Sequence, residues 1–168
     1  MPRIARRTAA AAIGCLAAVA GVATPLATVA VADPNDYALN GVFTVTSDGQ
    51  WAKTNERYHD EATVVSTWTI TTSCTAADTC SGRVDSDKGW SADVRYIEPM
   101  WYVNRTIDDW MHCPDGTSVA GRQTFKFFAD QFDLPNMRGW DNTLGPSGAC
   151  GVNKVLNIEM PLRLVPIA

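Results

Sequence analysis

Apolar and polar residues alternate one by one through most of this chain, and that two-residue period decides which fold classes are open to it. From Ala62 to Ser73 one face carries Ala62, Val64, Trp68 and Ile70, while Thr63, Thr67, Thr69 and Thr71 fill the other. Trp90, Ala92, Val94 and Tyr96 alternate with Ser91, Asp93 and Arg95. Near the C-terminus Leu156, Ile158, Met160, Leu162 and Leu164 alternate with Asn157, Glu159 and Arg163. Shorter stretches of the same kind cover Val42–Thr46, Gly82–Asp85, Trp101–Thr106 and Gln123–Ala129. One apolar and one polar face is the signature of antiparallel strands laid over a core. Turn-forming clusters separate them: Ser47-Asp48-Gly49, Ser86-Asp87-Lys88-Gly89, Pro114-Asp115-Gly116 and Gly145-Pro146-Ser147-Gly148. No segment shows a helical stripe, although Lys53–Glu61 has room for a helical turn. Pro99 and Pro161 interrupt apolar runs and belong at edges or bulges. Ser47-Asp48-Gly49-Gln50-Trp51 and Ser86-Asp87-Lys88-Gly89-Trp90 share an S-D-x-x-W pattern, which predicts two similar hairpin corners. The expectation is an all-β domain, an antiparallel β-barrel or β-sandwich of about seven to eight strands. Periodicity does not choose between the two.

The first 32 residues follow a different rule. Arg3, Arg6 and Arg7 precede a stretch from Thr8 to Ala32 made almost wholly of Ala, Val, Ile, Leu and Gly. It closes with Ala30-Val31-Ala32 and the polar run Asp33-Pro34-Asn35-Asp36. A basic start, an apolar middle and an A-x-A end predict a secretory signal peptide over residues 1–32, cleaved after Ala32, with 33–168 as a single β domain. An uncleaved membrane anchor has the right length but fits Pro25 and the A-x-A end less well. Lipid attachment at Cys15 would need a lipobox that Ala12-Ile13-Gly14 matches weakly, and the surroundings of Arg6-Arg7 do not support a twin-arginine signal. On this reading the mature protein meets a membrane only through its signal peptide.

Cleavage would also remove the odd cysteine of five. Cys74, Cys80, Cys113 and Cys150 remain, an even set bound for an oxidising space, which predicts two disulfides. Three connectivities exist. The short spacing of Cys74 and Cys80 favours a local bridge across a hairpin end, leaving Cys113 with Cys150. That second bridge closes a loop of roughly 36 residues, worth about 3–4 kcal/mol by chain entropy. Zinc sites want close pairs such as C-x₂-C, which are missing here, so no metal or other cofactor is implied.

Charge excludes one partner class. The whole chain carries −4, and three of its 14 basic residues lie in the leader, so the domain is more acidic still. Nucleic-acid binding needs a basic face. Candidates for catalysis are thin. Asp60-Glu61 and Asp108-Asp109 are sequence neighbours, so on a strand their side chains diverge. A glycosidase needs two carboxyls facing each other, which folding could supply only by bringing Glu98 or Asp108 opposite Asp60. The two histidines, His59 and His112, have neither a nucleophile elbow nor a metal spacing. No catalytic residue is assigned. Six tryptophans are the compositional surplus. Trp68 and Trp90 sit on apolar strand faces and read as core. Trp51, Trp110 and Trp140 sit in turn-like contexts, where an exposed ring can bind a sugar or lipid or fold back to cap the domain.

The runs Gly41-Val42-Phe43-Thr44-Val45-Thr46-Ser47-Asp48-Gly49-Gln50-Trp51-Ala52-Lys53-Thr54-Asn55, Ser66-Thr67-Trp68-Thr69-Ile70, Asp87-Lys88-Gly89-Trp90-Ser91 and His112-Cys113-Pro114-Asp115-Gly116-Thr117 resemble a group of small exported mycobacterial proteins of unassigned function. The resemblance implies export and an actinobacterial envelope setting, and transfers no site residues. The expected function is therefore a secreted, non-enzymatic protein of the envelope or extracellular space. Its partner would be a lipid, a glycan or a protein held through Trp51, Trp110 and Trp140. The alternative is a small cell-wall glycan hydrolase using some of Asp60, Glu61, Glu98, Asp108 and Asp109.

Overall fold

In the computed structural model, which describes residues 33–97 and 99–167, the alternation resolves into ten strands. They are β1 (Gly41–Ser47), β2 (Lys53–Thr54), β3 (Arg57–Tyr58), β4 (Val64–Ala76), β5 (Thr79–Ser86), β6 (Trp90–Ile97), β7 (Met100–His112), β8 (Ser118–Ala129), β9 (Met137–Gly145) and β10 (Leu156–Pro166). The leader over residues 1–32, its cleavage site, Cys15 and Glu98 lie outside the described residues. Each of β4 to β10 pairs antiparallel with the next, and β1 pairs with both β4 and β10. Eight strands thus close on themselves as an up-and-down barrel, with Phe43 opposite Pro166 and Ser47 opposite Leu162 at the seam. Closure leaves no unpaired sheet edge in the barrel wall. This settles the choice between barrel and sandwich in favour of the barrel.

Inward positions follow the alternation. Trp68 and Ile70 on β4, Val94 on β6, Val103 on β7, Phe127 on β8 and Leu162 and Leu164 on β10 are buried in one cluster. Each such aliphatic or aromatic side chain contributes about 1.5–3 kcal/mol on burial. The cluster fills the barrel end where β1 begins and β4 ends, and there Ala38 and Leu39 pack against it. A 3₁₀ turn at Pro34–Tyr37 leads into them. The Leu39 N–H donates to Thr72 Oγ1 at 2.8 Å, which ties this segment to β4. One end of the barrel is closed in this way.

Four local expectations are corrected. The Lys53–Glu61 region forms no helical turn: a 3₁₀ turn at Gly49–Trp51 is followed by the β2–β3 hairpin. Asn55 and Glu56 at its tip have φ of 49° and 67°, the twist a two-residue hairpin turn requires. The two S-D-x-x-W segments differ: the first runs from β1 into that 3₁₀ turn, and the second makes the tight β5–β6 turn. β9 was not expected, because its inward positions are Gly139, Asp141, Thr143 and Gly145, which show no apolar period. Trp140 accordingly lies in a strand and not in a turn, and Trp110 lies in the last part of β7. Pro99 falls in the β6–β7 turn. Pro161 stands inside β10 where one side of the strand changes partner: Glu159 pairs with Lys53 of β2, and Leu162 pairs with Ser47 of β1. A residue without an N–H is tolerated at such a break.

Both disulfides form as the spacing predicts. Cys74 and Cys80 face each other across β4 and β5. Cys113, just after β7, joins Cys150 in the 3₁₀ turn Ala149–Gly151 between β9 and β10. The first bridge sits at the closed end and the second at the other.

Candidate functional site in the open end of the barrel

At the end opposite the packed core the barrel holds a cavity of about 290 Å³. Seven of the eight barrel strands contribute to its wall, β5 being the exception. The reason is visible in the inward register. Val103 is followed inward by Arg105, Phe125 is preceded by Gln123, and Asp141 and Thr143 face in from β9. Polar side chains here replace the large apolar ones that fill the closed end.

These polar groups form one chain. Ser47 Oγ lies 2.7 Å from Asp141 Oδ2, Gln123 Nε2 donates to Asp141 Oδ1 at 2.8 Å, and Arg105 Nε donates to Gln123 Oε1 at 2.6 Å. Arginine only donates, so the Gln123 carbonyl must face it and the Gln123 amide N–H must face Asp141. Asp141 is 2% exposed. Burial pushes its carboxyl pKa up, against the opposing pull of Ser47, Gln123 and the Arg105 charge. Burial likewise lowers the Arg105 pKa, with Asp141 opposing it, yet a guanidinium stays charged under such a shift. Glu61 and Lys88 are the other charged residues on the cavity wall.

An aromatic clamp stands over this floor. The Arg105 guanidinium lies 4.5 Å from the Trp90 ring centre, and Trp90 stacks on Phe125 at 5.9 Å. Trp68 meets both edge-on, at 5.3 and 4.8 Å. Trp110 reaches the cavity through an irregularity in β7 between Ile107 and Met111, where Asp109 has φ 52°. Its ring covers Gly121 and Gly145: a Cβ at Gly121 would come within 2.7 Å of Trp110 Cδ2. Only a residue without a side chain leaves that space. Gly121→Ala is therefore expected to push the indole off the wall at a cost of about 1–3 kcal/mol, read as a lower urea midpoint with altered tryptophan emission. An unchanged midpoint and spectrum would contradict this packing.

The other two sequence candidates lie elsewhere. Trp51, 62% exposed, sits on its 3₁₀ turn with its ring edge-on to Tyr58 at 6.5 Å. Trp140, 40% exposed, faces outward from β9 beside Phe128. Both line one shallow groove on the outside of the barrel, with Lys53, Tyr58, Glu159 and Pro161. The structure thus groups Trp51 with Trp140 and places Trp110 in the inner cavity. Of the candidate carboxylates, Asp60, Asp108 and Asp109 are exposed. Asp109 accepts a hydrogen bond from the Ser118 hydroxyl. Glu61, at the cavity, accepts from Thr54 Oγ1 at 3.1 Å and lies 3.2 Å from His59 Nδ1. Among the described residues no cluster of His, Cys, Asp or Glu could hold a metal ion. Arg105, Gln123, Asp141 and Ser47 escaped the sequence reading. For two of them a signal existed: Arg105 and Gln123 continue the inward registers of Trp101–Val103 and Phe125–Phe127 as polar residues on an apolar face.

The raised Asp141 pKa sets a direction for stability. The folded state holds this proton to higher pH than the unfolded chain, so the contribution is full below the unfolded pKa. It is lost as pH rises through the folded value. Asp141→Asn imitates the protonated acid. Its stability relative to wild type is expected to increase on going from acid to neutral pH, as urea midpoints measured across that range would show. A pH-independent difference would rule out the shift.

Fold and site together define a class: an eight-stranded up-and-down barrel, one end packed and the other end hollow with a polar floor. No protein-family model matches the chain, and no curated protein matches it. Among solved structures it is similar to the monomer form of the M. tuberculosis PknI sensor domain, with a TM-score of 0.58 over 78% of this chain and 88% of that one. At 13% identity the likeness is one of fold.

Proposed function

We propose that this is an exported, non-enzymatic binding domain that holds a small molecule in the hollow end of its barrel. The observation that carries the reading is the cavity itself, with an aromatic wall over a buried polar chain. Pockets for small ligands combine mostly apolar walls with a few placed polar groups, and eight-stranded barrels are wide enough for one such ligand. Export is supported by the leader pattern and by two disulfides, which persist in oxidising compartments. The structural neighbour is described as a sensor domain, and sensing by ligand capture suits the same geometry. Against the hydrolase alternative stand the exposed positions of Asp60, Asp108 and Asp109, which lack the burial that tunes a carboxyl into a general acid.

Tryptophan fluorescence tests this directly, because Trp68, Trp90 and Trp110 line the cavity while Trp51 and Trp140 line the outer groove. Extracted envelope lipids and glycans are expected to change the emission, and the change is expected to persist in a Trp51→Phe, Trp140→Phe variant. A response abolished in that variant would move binding to the outer groove. No response to any fraction would count against ligand binding altogether.

A further inference from the structure

The charge balance inside the cavity narrows the chemistry of its occupant. Arg105 is half-buried, and among the described residues no carboxylate lies within ion-pairing distance of it or of Lys88. The Arg105 Nε is engaged by Gln123, while its terminal nitrogens have no hydrogen-bond acceptor among the described residues. Trp68 is 1% exposed, and its Nε1–H is the one buried side-chain polar atom among the described residues without a hydrogen-bond partner. Leaving such a group unpaired costs about 1–3 kcal/mol. That N–H is closed off from the cavity by burial, while the Trp90 ring that Trp68 meets edge-on carries the Arg105 guanidinium 4.5 Å from its centre.

The buried acceptor on the cavity floor is already taken. Both Asp141 oxygens are engaged, by Ser47 and by Gln123, and burial favours the neutral form of that carboxyl. Glu61 is held through Oε1 alone, by Thr54 and His59. What the site offers a ligand is a planar cation and ring faces. That set matches a carboxylate attached to a compact apolar body, since a guanidinium fork binds carboxylate oxygens two at a time.

We propose that the cavity takes a small organic acid, its carboxylate on the terminal nitrogens of Arg105, its apolar body against Trp90, Phe125 and Trp110. This rests on the cavity reading above and adds the ligand class to it.

The test pairs acids with their neutral amides: phenylacetate, indole-3-acetate and hexanoate against phenylacetamide, indole-3-acetamide and hexanamide, titrated calorimetrically into the oxidised protein. At least one acid is expected to bind about tenfold or more tightly than its amide. The indole N–H resonance of Trp68, assigned through Trp68→Phe, is expected to move on binding. Arg105→Gln is expected to erase the preference, with Arg105→Lys retaining part of it. Should Arg105→Gln fail to fold, Arg105→Lys carries the same test, weakening the acid more than the amide. Amides binding as tightly as acids, or a preference that survives Arg105→Gln, would overturn the acid and leave a cavity that binds neutral molecules. Failure of every acid and every amide to bind would overturn the acid and the cavity reading together.

Discussion

Truncating Trp68 to alanine is expected to cost about 3–5 kcal/mol of folding stability, a large share of what a domain of this size possesses. Trp68 is 1% exposed and meets Trp90, Phe125 and Phe127 with ring centres 5.3, 4.8 and 6.3 Å away. It therefore joins the packed end of the barrel to the aromatic wall of the hollow end. Alanine would merge the cavity with a new void and remove the edge of three aromatic contacts. Trp68→Phe is expected to cost clearly less, because it keeps a ring and deletes a buried N–H that has no partner. Urea denaturation of both variants checks this. Equal losses would mean that the indole's second ring and its N–H, and not the filled volume, carry the stabilisation.

The second large effect concerns the bridge at the open end of the barrel. Replacing Cys113 and Cys150 together by serine is expected to lower stability by about 4 kcal/mol, since the bridge spans a sequence separation of 37. The corresponding Cys74, Cys80 double variant is expected to lose only about 2 kcal/mol, because those cysteines are 6 apart. They also lie opposite each other in a hairpin that the β4–β5 ladder already pairs. Melting curves of the two double variants give the comparison. A larger loss from the short bridge would show that loop closure does not govern the difference.

Much of the barrel could be read from residue order, because most of its strands obey one simple condition: large apolar side chains on every second position. The alternation places β1, β4, β6 and β10 to within a few residues. The condition fails wherever the interior is not apolar. β9 turns Gly139, Asp141, Thr143 and Gly145 inward, so its period is invisible, and Trp140 looked like a turn residue when it is the outer face of a strand. Most of the candidate site is hidden for the same reason. Its floor is made where four strands each bring one polar residue to a common depth, and no one-dimensional pattern relates Ser47, Arg105, Gln123 and Asp141. The disulfides were legible because parity and spacing alone restrict them. Trp110 was found as a residue but not as a place, since its position depends on two glycines from other strands, Gly121 and Gly145, that leave room beneath the ring.

The seam between β1 and β10 has a bearing on how the protein comes to exist. Its partners lie at the two extremes of the domain, Phe43 against Pro166, so the sequence separation of this contact is close to the largest the domain allows. Contacts of that span form late and slowly. A chain emerging N-terminus first from a ribosome or a translocation channel can assemble the meander from β4 onward strand by strand, but it cannot close until residues 162–166 are out. Until then β1 has an open edge and the hollow end has no complete rim. The cavity therefore exists only once β10 is in place, and a truncated product lacking β10 would present an unsatisfied strand to any chaperone or protease that samples it.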